Sequence, residues 1–229
     1  MSSWLIRLSK KRSRQGLYEF LEKQFSLIQP EDRVLTVGAG GKVTELLVEF
    51  SKQNSFQVTT FDINEKRNPD IAGDFCTYDF KDFKVDVVVL AEVLQFFKNP
   101  QIGIENAQKI LKPGGRLILT TPFIFPIHDR PYDLYRFTKH GLKFLLSDFE
   151  SVTISEKNSA LESIDVLWLR LNKIKGKHSY SLKRIIVFTV YYIKRPLTLF
   201  LIRYIKTDIM TTGYNVVAFK KLSKYSLSN

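Results

Sequence analysis

The chain has 229 residues, 44% of them hydrophobic, which is enough for one sizeable core but short for two complete domains. Its single cysteine excludes an internal disulfide framework, and its three scattered histidines do not resemble a structural zinc site, so no metal is expected. The formal net charge of +12 attracts polyanions, which include nucleic acids, anionic lipids and phosphorylated substrates.

The N-terminal segment lacks the order of regions found in a secretory signal, because a basic run follows only a short apolar stretch. This absence predicts a cytoplasmic protein. Apolar residues then repeat at helical spacing until Pro30, which predicts a helix over residues 15–28. We therefore interpret residues 1–30 as an N-terminal helical extension, followed by one domain over residues 31–229.

A strand, a glycine turn and a helix come next. Residues 33–37 are rich in β-formers and meet Gly38-Ala-Gly-Gly, after which apolar residues recur on one helical face. Glycines at this place let the backbone approach a ligand closely, and the helix N-terminus offers free amides. A second strand over residues 56–61 ends at Asp62, whose carboxylate could accept hydrogen bonds from ribose hydroxyls.

Strands and helices continue to alternate along the chain. The pattern predicts a strand buried on both faces at residues 85–90, helices at 102–111 and 138–146, and strands at 116–121, 151–154 and 214–220. Such alternation favours a parallel sheet covered by helices, with ligands bound beyond the carboxyl ends of the strands.

The segment Val34-Leu-Thr-Val-Gly-Ala-Gly-Gly-Lys42 resembles the first motif of the class I S-adenosylmethionine-dependent methyltransferases. It departs from that motif at Thr36, where the family usually has an acid, and at Lys42, where a glycine is common. A nicotinamide-binding fold uses similar glycines, but its fingerprint has a third glycine where Val43 stands. The resemblance implies that S-adenosylmethionine contacts the turn formed by Val37, Gly38, Ala39 and Gly40.

Further segments follow in the order typical of that family. The resemblance assigns Asp62 to ribose, Asp74 and Phe75 to the loop near adenine, and Glu92 to a cofactor or substrate contact after the fourth strand. It implies a Rossmann-like, doubly wound α/β sheet of seven strands, with an antiparallel last strand and helices on both faces. It also implies an enzyme that transfers the methyl group of S-adenosylmethionine.

The loop after the fifth strand is dense in titratable groups, aromatic residues and prolines. Histidine as a residue type ionises near neutral pH, so His128 could act as a general base, with Asp133 or Asp129 orienting its ring. Arg130 or Arg136 could hold an anionic acceptor. The simpler alternative is that Asp133 and Arg136 cap the next helix or pair with each other.

The same loop resembles a Pro-x-Asp-x-x-Arg-Phe-Thr stretch of methyltransferase-domain proteins among bacterial surface-polysaccharide enzymes. The matching residues are Pro131, Asp133, Arg136, Phe137 and Thr138. This resemblance implies a small-molecule acceptor, either a sugar or a lipid-linked saccharide. Methylation of a nucleic acid is less favoured, because Leu90-Ala-Glu-Val stands where DNA amino-methylases carry an aromatic-proline tetrad.

A basic and apolar insertion occupies about residues 160–206. Two apolar runs within it are each shorter than the roughly 20 residues of a spanning helix, and Lys194-Arg195-Pro196 divides them. A helix that is apolar on one side and basic on the other could bind an anionic membrane surface, which would put the protein at the inner face of the membrane. Alternatively the runs cover the sheet or form a dimer contact, so the oligomeric state stays open.

A second class of function also stays open. The departures at Thr36 and Lys42, together with Gln95-Phe96 where many family members have Glu-His, would suit a non-catalytic module that serves as a binding or membrane platform.

Overall fold

The computed structural model describes residues 11, 14–171, 180–205 and 207–222. These residues form a seven-stranded sheet in the order β3-β2-β1-β4-β5-β7-β6. Its strands are β1 Arg33–Val37, β2 Gln57–Asp62, β3 Ile71–Ala72, β4 Val85–Ala91, β5 Leu111–Pro122, β6 Ser151–Glu156 and β7 Gly213–Phe219. Strand β7 runs antiparallel to β5 and β6, whereas the pairs among β1 to β5 are parallel. The predicted doubly wound sheet with an antiparallel last strand is confirmed.

Helices cover both faces of the sheet. They are α1 Gln15–Phe25, α2 Gly41–Asn54, α3 Pro100–Ile110, α4 Lys139–Leu145, α5 Ala160–Arg170 and α6 Tyr180–Leu201. On one face, Phe25 of α1 and Leu47 of α2 are buried in one apolar cluster with residues of β1, β4 and β5. On the other face, Ile104 of α3 and Leu142 of α4 belong to a second cluster. Helix α1 is therefore part of the cover of the sheet.

Local sequence explains where these elements begin and end. The continuous apolar run of β4 lies between β1 and β5, where both faces of the strand are buried. Helix α3 begins after Asn99, whose side chain accepts a hydrogen bond from the amide of Ile102, and Pro100 occupies the first helical position. Helix α5 begins with a reciprocal capping box between Ser159 and Glu162.

Strand β5 is longer than its predicted range of 116–121, because it already begins at Leu111. Leu111 pairs with Val85, and the register then shifts before Val87 pairs with Arg116. A β-bulge of this kind absorbs extra residues within a ladder, so the Lys-Pro-Gly-Gly turn becomes part of the strand. Gly114, with φ +75°, also donates its amide hydrogen to the carbonyl of Lys220 beside the end of β7.

The insertion before β7 forms two helices that pack on each other. Helix α6 is continuous through Pro196, so Lys194-Arg195-Pro196 divides the two apolar runs in the sequence but does not end the helix. Phe188 and Tyr191 of α6 are buried against Leu169 of α5. None of the helices in the described part of the chain is long and apolar enough to cross a bilayer.

The basic pair of α6 faces α5 instead of solvent. Lys194 lies 2.8 Å from the buried carboxylate of Asp165, and Arg195 lies 3.3 Å from the same group and 3.6 Å from Glu162. These ion pairs correct the expectation of a free basic face on this helix. Other basic residues of the insertion, namely Lys173, Lys175, Lys177 and Lys206, lie outside the described residues, as does the side chain of Arg184.

Candidate active site

A cavity of about 1110 Å³ opens at the carboxyl ends of β1, β2, β4 and β5. This is the switch point of the sheet, where β1 connects to β2 on one side and β4 to β5 on the other. We call it the central cavity. Of the predicted cofactor-binding residues, those lining it are Val37, Gly38, Gly40, Asp62, Asp74, Phe75 and Glu92. The structure therefore brings these predicted residues together, whereas Ala39, between Gly38 and Gly40, is buried and does not line the cavity.

The glycine turn after β1 forms one wall of the central cavity. Gly38, Gly40 and Gly41 have φ values of +95°, +89° and +76°, a region that side chains with a Cβ atom adopt rarely. A Cβ on Gly38 would also lie only 2.7 Å from the side chain of Val93. Gly41 is the first residue of α2, and among the described residues no atom outside its chain neighbours and its own helix backbone lies within 4 Å of where its Cβ would be. Backbone amides at this helix N-terminus are thus open to a ligand.

Asp62 closes the floor of the cavity and holds the turn in place. Its Oδ2 accepts hydrogen bonds from the amide of Ala39 at 2.7 Å and from Arg67 at 3.0 Å, and its Oδ1 accepts one from the amide of Asn64 at 2.8 Å. A carboxylate has about four lone-pair positions, so Oδ1 can still accept a hydrogen bond from a hydroxyl group.

The cavity lining also contains apolar side chains close in sequence to the carboxylate of Asp74. Phe75 is buried and stacks on Phe97, while Asp74 accepts a hydrogen bond from the amide of Cys76. Ile63, next to Asp62, is 71% exposed and lines the cavity, although the sequence pattern gave no reason to select it. A flat heteroaromatic ring could lie between these apolar side chains.

The two departures from the family's first motif have separate surroundings. Thr36 is buried and lines the cavity, so it offers a neutral hydroxyl where the family usually has an acid. The ammonium of Lys42 lies 4.8 Å above the ring of Tyr18, which holds it beside α1 in a cation–π contact.

Glu92 directly follows β4 and lines the central cavity. Its φ of +59° is unusual for a residue with a side chain and indicates local strain. Its carboxylate pairs with the ammonium of Lys157 and accepts a hydrogen bond from Thr120 at 3.0 Å. Burial by itself would raise the pKa of Glu92, but Lys157 and Thr120 outweigh it and lower this pKa. Glu92 is therefore held as an anion.

The loop between β5 and α4 forms the opposite wall and contains His128. The His128 ring lies edge-on to Phe96 and Phe125, with centroid distances of 5.7 and 6.1 Å. Its Nδ1 lies 3.2 Å from Asp133 Oδ2 without a hydrogen-bonding geometry, and its Nε2 lies 3.9 Å from Asp129. His128, Asp129 and Arg130 all line the cavity.

Asp133 stabilises the loop from within. Its fully buried carboxylate accepts hydrogen bonds from both guanidinium branches of Arg136, at 2.5 and 2.7 Å, and from the backbone amide of His128 at 2.9 Å. The hydrogen bonds from Arg136 and from His128 lower the pKa of Asp133. The alternative in which Asp133 and Arg136 pair with each other is therefore correct, and Asp133 reaches His128 mainly through the backbone.

Gln95 joins this loop to the segment after β4. Its backbone carbonyl accepts hydrogen bonds from the amides of Leu134 and Tyr135, and its side-chain amide donates to the carbonyl of Glu92 at 2.7 Å. Gln95, which replaces a residue of the family's frequent Glu-His pair, thus fixes the distance between the two walls of the cavity.

The comparisons with known proteins agree with this architecture. The model of a family described as "Methyltransferase domain" matches residues 4–151. Helices α5 and α6 and strand β7 lie beyond this match. No protein with a curated functional description is a significant sequence match.

Solved structures with similar folds are distant in sequence. Phosphoethanolamine N-methyltransferase 2 from Haemonchus contortus, solved with phosphomonomethylethanolamine and S-adenosylhomocysteine, is 14% identical with a TM-score of 0.56. The alignment covers 92% of this chain and 53% of the Haemonchus contortus enzyme, so the chain spans about half of the length of that enzyme. The [4+2]-cyclase SpnF is 15% identical with a TM-score of 0.56, and the alignment covers 92% of this chain and 81% of the cyclase.

A third structure matches over nearly its whole length. The putative methyltransferase from Bacillus halodurans C-125 is 17% identical with a TM-score of 0.51, and the alignment covers 87% of this chain and 97% of that one. At such identities the likeness concerns the fold alone, and the cyclase illustrates that one fold supports more than one chemistry.

Proposed function

This chain belongs to the family of methyltransferase-domain proteins, an S-adenosylmethionine-dependent enzyme family, and we propose that its methyl acceptor is a saccharide, either small or lipid-linked. One observation carries the proposal. The loop between β5 and α4 brings polar His128, Asp129 and Arg130 and aromatic Phe125 and Tyr132 into the same cavity as the predicted cofactor residues. A sugar presents hydroxyl groups to polar side chains and an apolar ring face to aromatic ones.

The donor set of the central cavity fits S-adenosylmethionine. The backbone of the glycine turn and the N-terminus of α2 suit its amino-acid part, and the free lone pair of Asp62 suits a ribose hydroxyl. Asp74 and the apolar surfaces of Ile63 and Phe75 suit adenine. When bound there, the cofactor supplies a methyl group attached to a positively charged sulfur, and the neutral thioether that remains is a good leaving group.

The residues of the chain then have to align the acceptor, exclude water and remove one proton. A sugar hydroxyl loses its proton as its oxygen bonds to the methyl carbon and the carbon–sulfur bond breaks. The anionic Asp133 beside Nδ1 of His128 favours the tautomer with the proton on Nδ1. Nε2 of His128 is then left to accept the proton of the hydroxyl.

A peripheral membrane location is the second part of the proposal. Six exposed apolar side chains of helix α6 and its C-terminal turn recur at spacings of three, four or seven residues and so share one face: Leu182, Ile186, Ile193, Leu197, Phe200 and Tyr204. We call this set the apolar face of α6. It lies opposite the side that packs on α5, and insertion into the interfacial layer of a membrane would remove it from water.

Transfer of radiolabelled methyl groups tests the acceptor class directly. The full chain with labelled S-adenosylmethionine should label sugars or lipid-linked saccharides from a bacterial extract, and should leave DNA and RNA unlabelled. Labelling of nucleic acid alone would reject the saccharide proposal. Binding of cofactor without transfer to any acceptor would favour the non-catalytic platform that Thr36 and Lys42 suggested.

A further inference from the structure

Arg170, the last residue of α5, places a guanidinium group against Phe125, on the ring that borders the central cavity. The residue is only 5% exposed, and the guanidinium carbon lies 4.4 Å from the ring centroid of Phe125. Phe125 itself lines the central cavity. A cation–π contact stabilises the charge but leaves the in-plane N–H groups of the guanidinium without an acceptor.

Two of those donors have no partner in the part of the chain that the structure describes. Among the described residues, neither Nε nor Nη2 of Arg170 has a hydrogen-bond acceptor, and both atoms are buried. A buried donor without an acceptor destabilises the fold, and more strongly when the group is charged. Native proteins seldom retain such a group unless a ligand or an ordered water accepts its hydrogen bonds.

The neighbouring charges leave this region positive. Burial is the main cause that lowers the pKa of Arg170 to about 10, with repulsion from Arg14 acting in the same direction and attraction to Glu92 acting against both. Arg170 therefore stays protonated at neutral pH. Glu92, the nearby carboxylate, is already paired with Lys157, and both Arg14 and Lys157 line the cavity. Among the residues that the structure describes, Arg170, Lys157 and Arg14 thus share the carboxylate of Glu92.

We propose that Arg170, Lys157 and Arg14 form a subsite for an anionic group of the methyl acceptor, a phosphate or a carboxylate. The inference rests on the proposed function and narrows it to an acidic or phosphorylated acceptor. Arg170 supplies hydrogen bonds in a planar fork that matches two anionic oxygens, Lys157 supplies a point charge, and Arg14 adds charge at the opening. The bound anion would place the rest of the acceptor beside Glu92.

Binding of two simple anions tests the subsite without knowledge of the acceptor. Inorganic phosphate and acetate are titrated into the full chain at constant ionic strength, in a buffer free of both ions, and followed by line broadening in phosphorus and proton NMR. Stronger binding of one ion indicates which anionic class the site prefers. The variants are Arg170→Gln, which removes the fork, and Arg14→Gln, which removes charge without changing the core. Arg203→Gln is the matched control, because Arg203 is exposed and lies outside the cavity.

We expect the wild-type protein to bind at least one of the two ions, and Arg170→Gln to weaken that binding by about tenfold or more, the usual effect of losing charged hydrogen bonds. Arg14→Gln should weaken it by a smaller factor, and Arg203→Gln should not change it. Equal binding by all four proteins, or none by the wild type, would overturn the subsite. If Arg170→Gln does not fold, Arg14→Gln decides the outcome.

A titration of S-adenosylhomocysteine on the same samples separates this inference from the proposed function. Binding by the wild type and all folded variants shows that the cofactor site is intact while the anion site is altered. No binding by the wild type would overturn the cofactor assignment, and the anion result would still be readable by itself.

Discussion

The carboxylate of Asp62, at the end of β2, accepts a hydrogen bond of 2.7 Å from the amide of Ala39 in the turn after β1. The acid and the glycine turn are therefore one structural unit. Asp62, which is predicted to bind the ribose, also holds the backbone that would contact the rest of the cofactor. Loss of Asp62 affects both parts together.

Asp62→Ala should abolish measurable binding of S-adenosylhomocysteine in calorimetric titration. It should also lower the free energy of unfolding by about 1–3 kcal/mol, because the buried amide of Ala39 loses its acceptor. Asp82→Ala, an exposed acid outside the cavity, is the control and should change neither quantity. Retention of tight binding by Asp62→Ala would contradict the assignment of this residue to ribose.

The ion pair between Glu92 and Lys157 should matter for stability. Lys157→Met removes the cation, while Glu92 stays in a site where its side chain is only 27% exposed. Breaking such a pair from one side costs about 3 kcal/mol, whereas replacing both partners by neutral groups costs less. Urea denaturation should therefore find Glu92→Gln/Lys157→Met more stable than Lys157→Met alone. If the double variant is instead less stable than Lys157→Met alone, the buried charge of Glu92 does not need its partner and the ion pair contributes little to stability.

Sequence reasoning succeeded for groups whose positions follow local patterns. The glycine turn, Asp62 and Glu92 lie at the ends of predicted strands, and parallel strands bring their carboxyl ends together, so their meeting in one cavity could be predicted. Asp74 lies beyond a two-residue strand that the pattern did not predict, and only the family resemblance assigned it to the site. Lys157 and Arg170 could not be found in this way. Lys157 pairs with a residue 65 positions earlier in the chain, and only the tertiary fold produces that contact.

Dependence on the tertiary fold also explains the predictions that were wrong, namely the start of β5 and the exposed basic face of α6. The bulge that lengthens β5 depends on its pairing with β4, and the ion pairs of Lys194 depend on the docking of α6 against α5. The charges of α6 suggested an exposed basic face. Asp165 lies in a different helix, far from Lys194 along the chain, so no local sequence pattern indicates their contact.

The stability that the loop containing His128 gives to the fold should depend on pH, because Asp133 must be ionised to hold the loop. The hydrogen bonds from Arg136 and His128 lower the pKa of Asp133 below its value in the unfolded chain, which is about 3.9. A lowered folded-state pKa gives stability that is fully present above pH ~4 and is lost as the pH falls through the folded value. The difference in unfolding free energy between wild type and Asp133→Asn should accordingly shrink below pH ~4. A difference that stays constant over this range would exclude an ionised Asp133 as its source.

His128→Ala should lower turnover without weakening cofactor binding. A positioned general base typically contributes about 10²–10⁴-fold to rate, so a loss of that size is expected with a hydroxyl acceptor. His140→Ala is the matched control, because His140 is exposed on α4 and lies outside the cavity. Turnover that is unaffected in His128→Ala would assign proton removal elsewhere, whereas loss of S-adenosylhomocysteine binding would make His128 a structural residue.

The apolar face of α6 should bind membranes chiefly through burial of apolar surface. Its side chains Ile193 and Phe200 are 74% and 55% exposed, while Lys194 and Arg195 are engaged with Asp165 on the other side of the helix. Ile193→Glu/Phe200→Glu should therefore release the protein from sedimenting liposomes that contain anionic lipid. Phe144→Glu, which changes a 77% exposed ring on α4, should not.

Salt separates this mode of binding from electrostatic attraction. Apolar burial is insensitive to screening, so sedimentation with liposomes should persist at an ionic strength that shortens the Debye length to about 3 Å. Release by salt alone would instead assign the interaction to basic residues elsewhere. If the wild type does not sediment and forms a dimer that Ile193→Glu/Phe200→Glu dissociates, the apolar face belongs to a second copy of the chain.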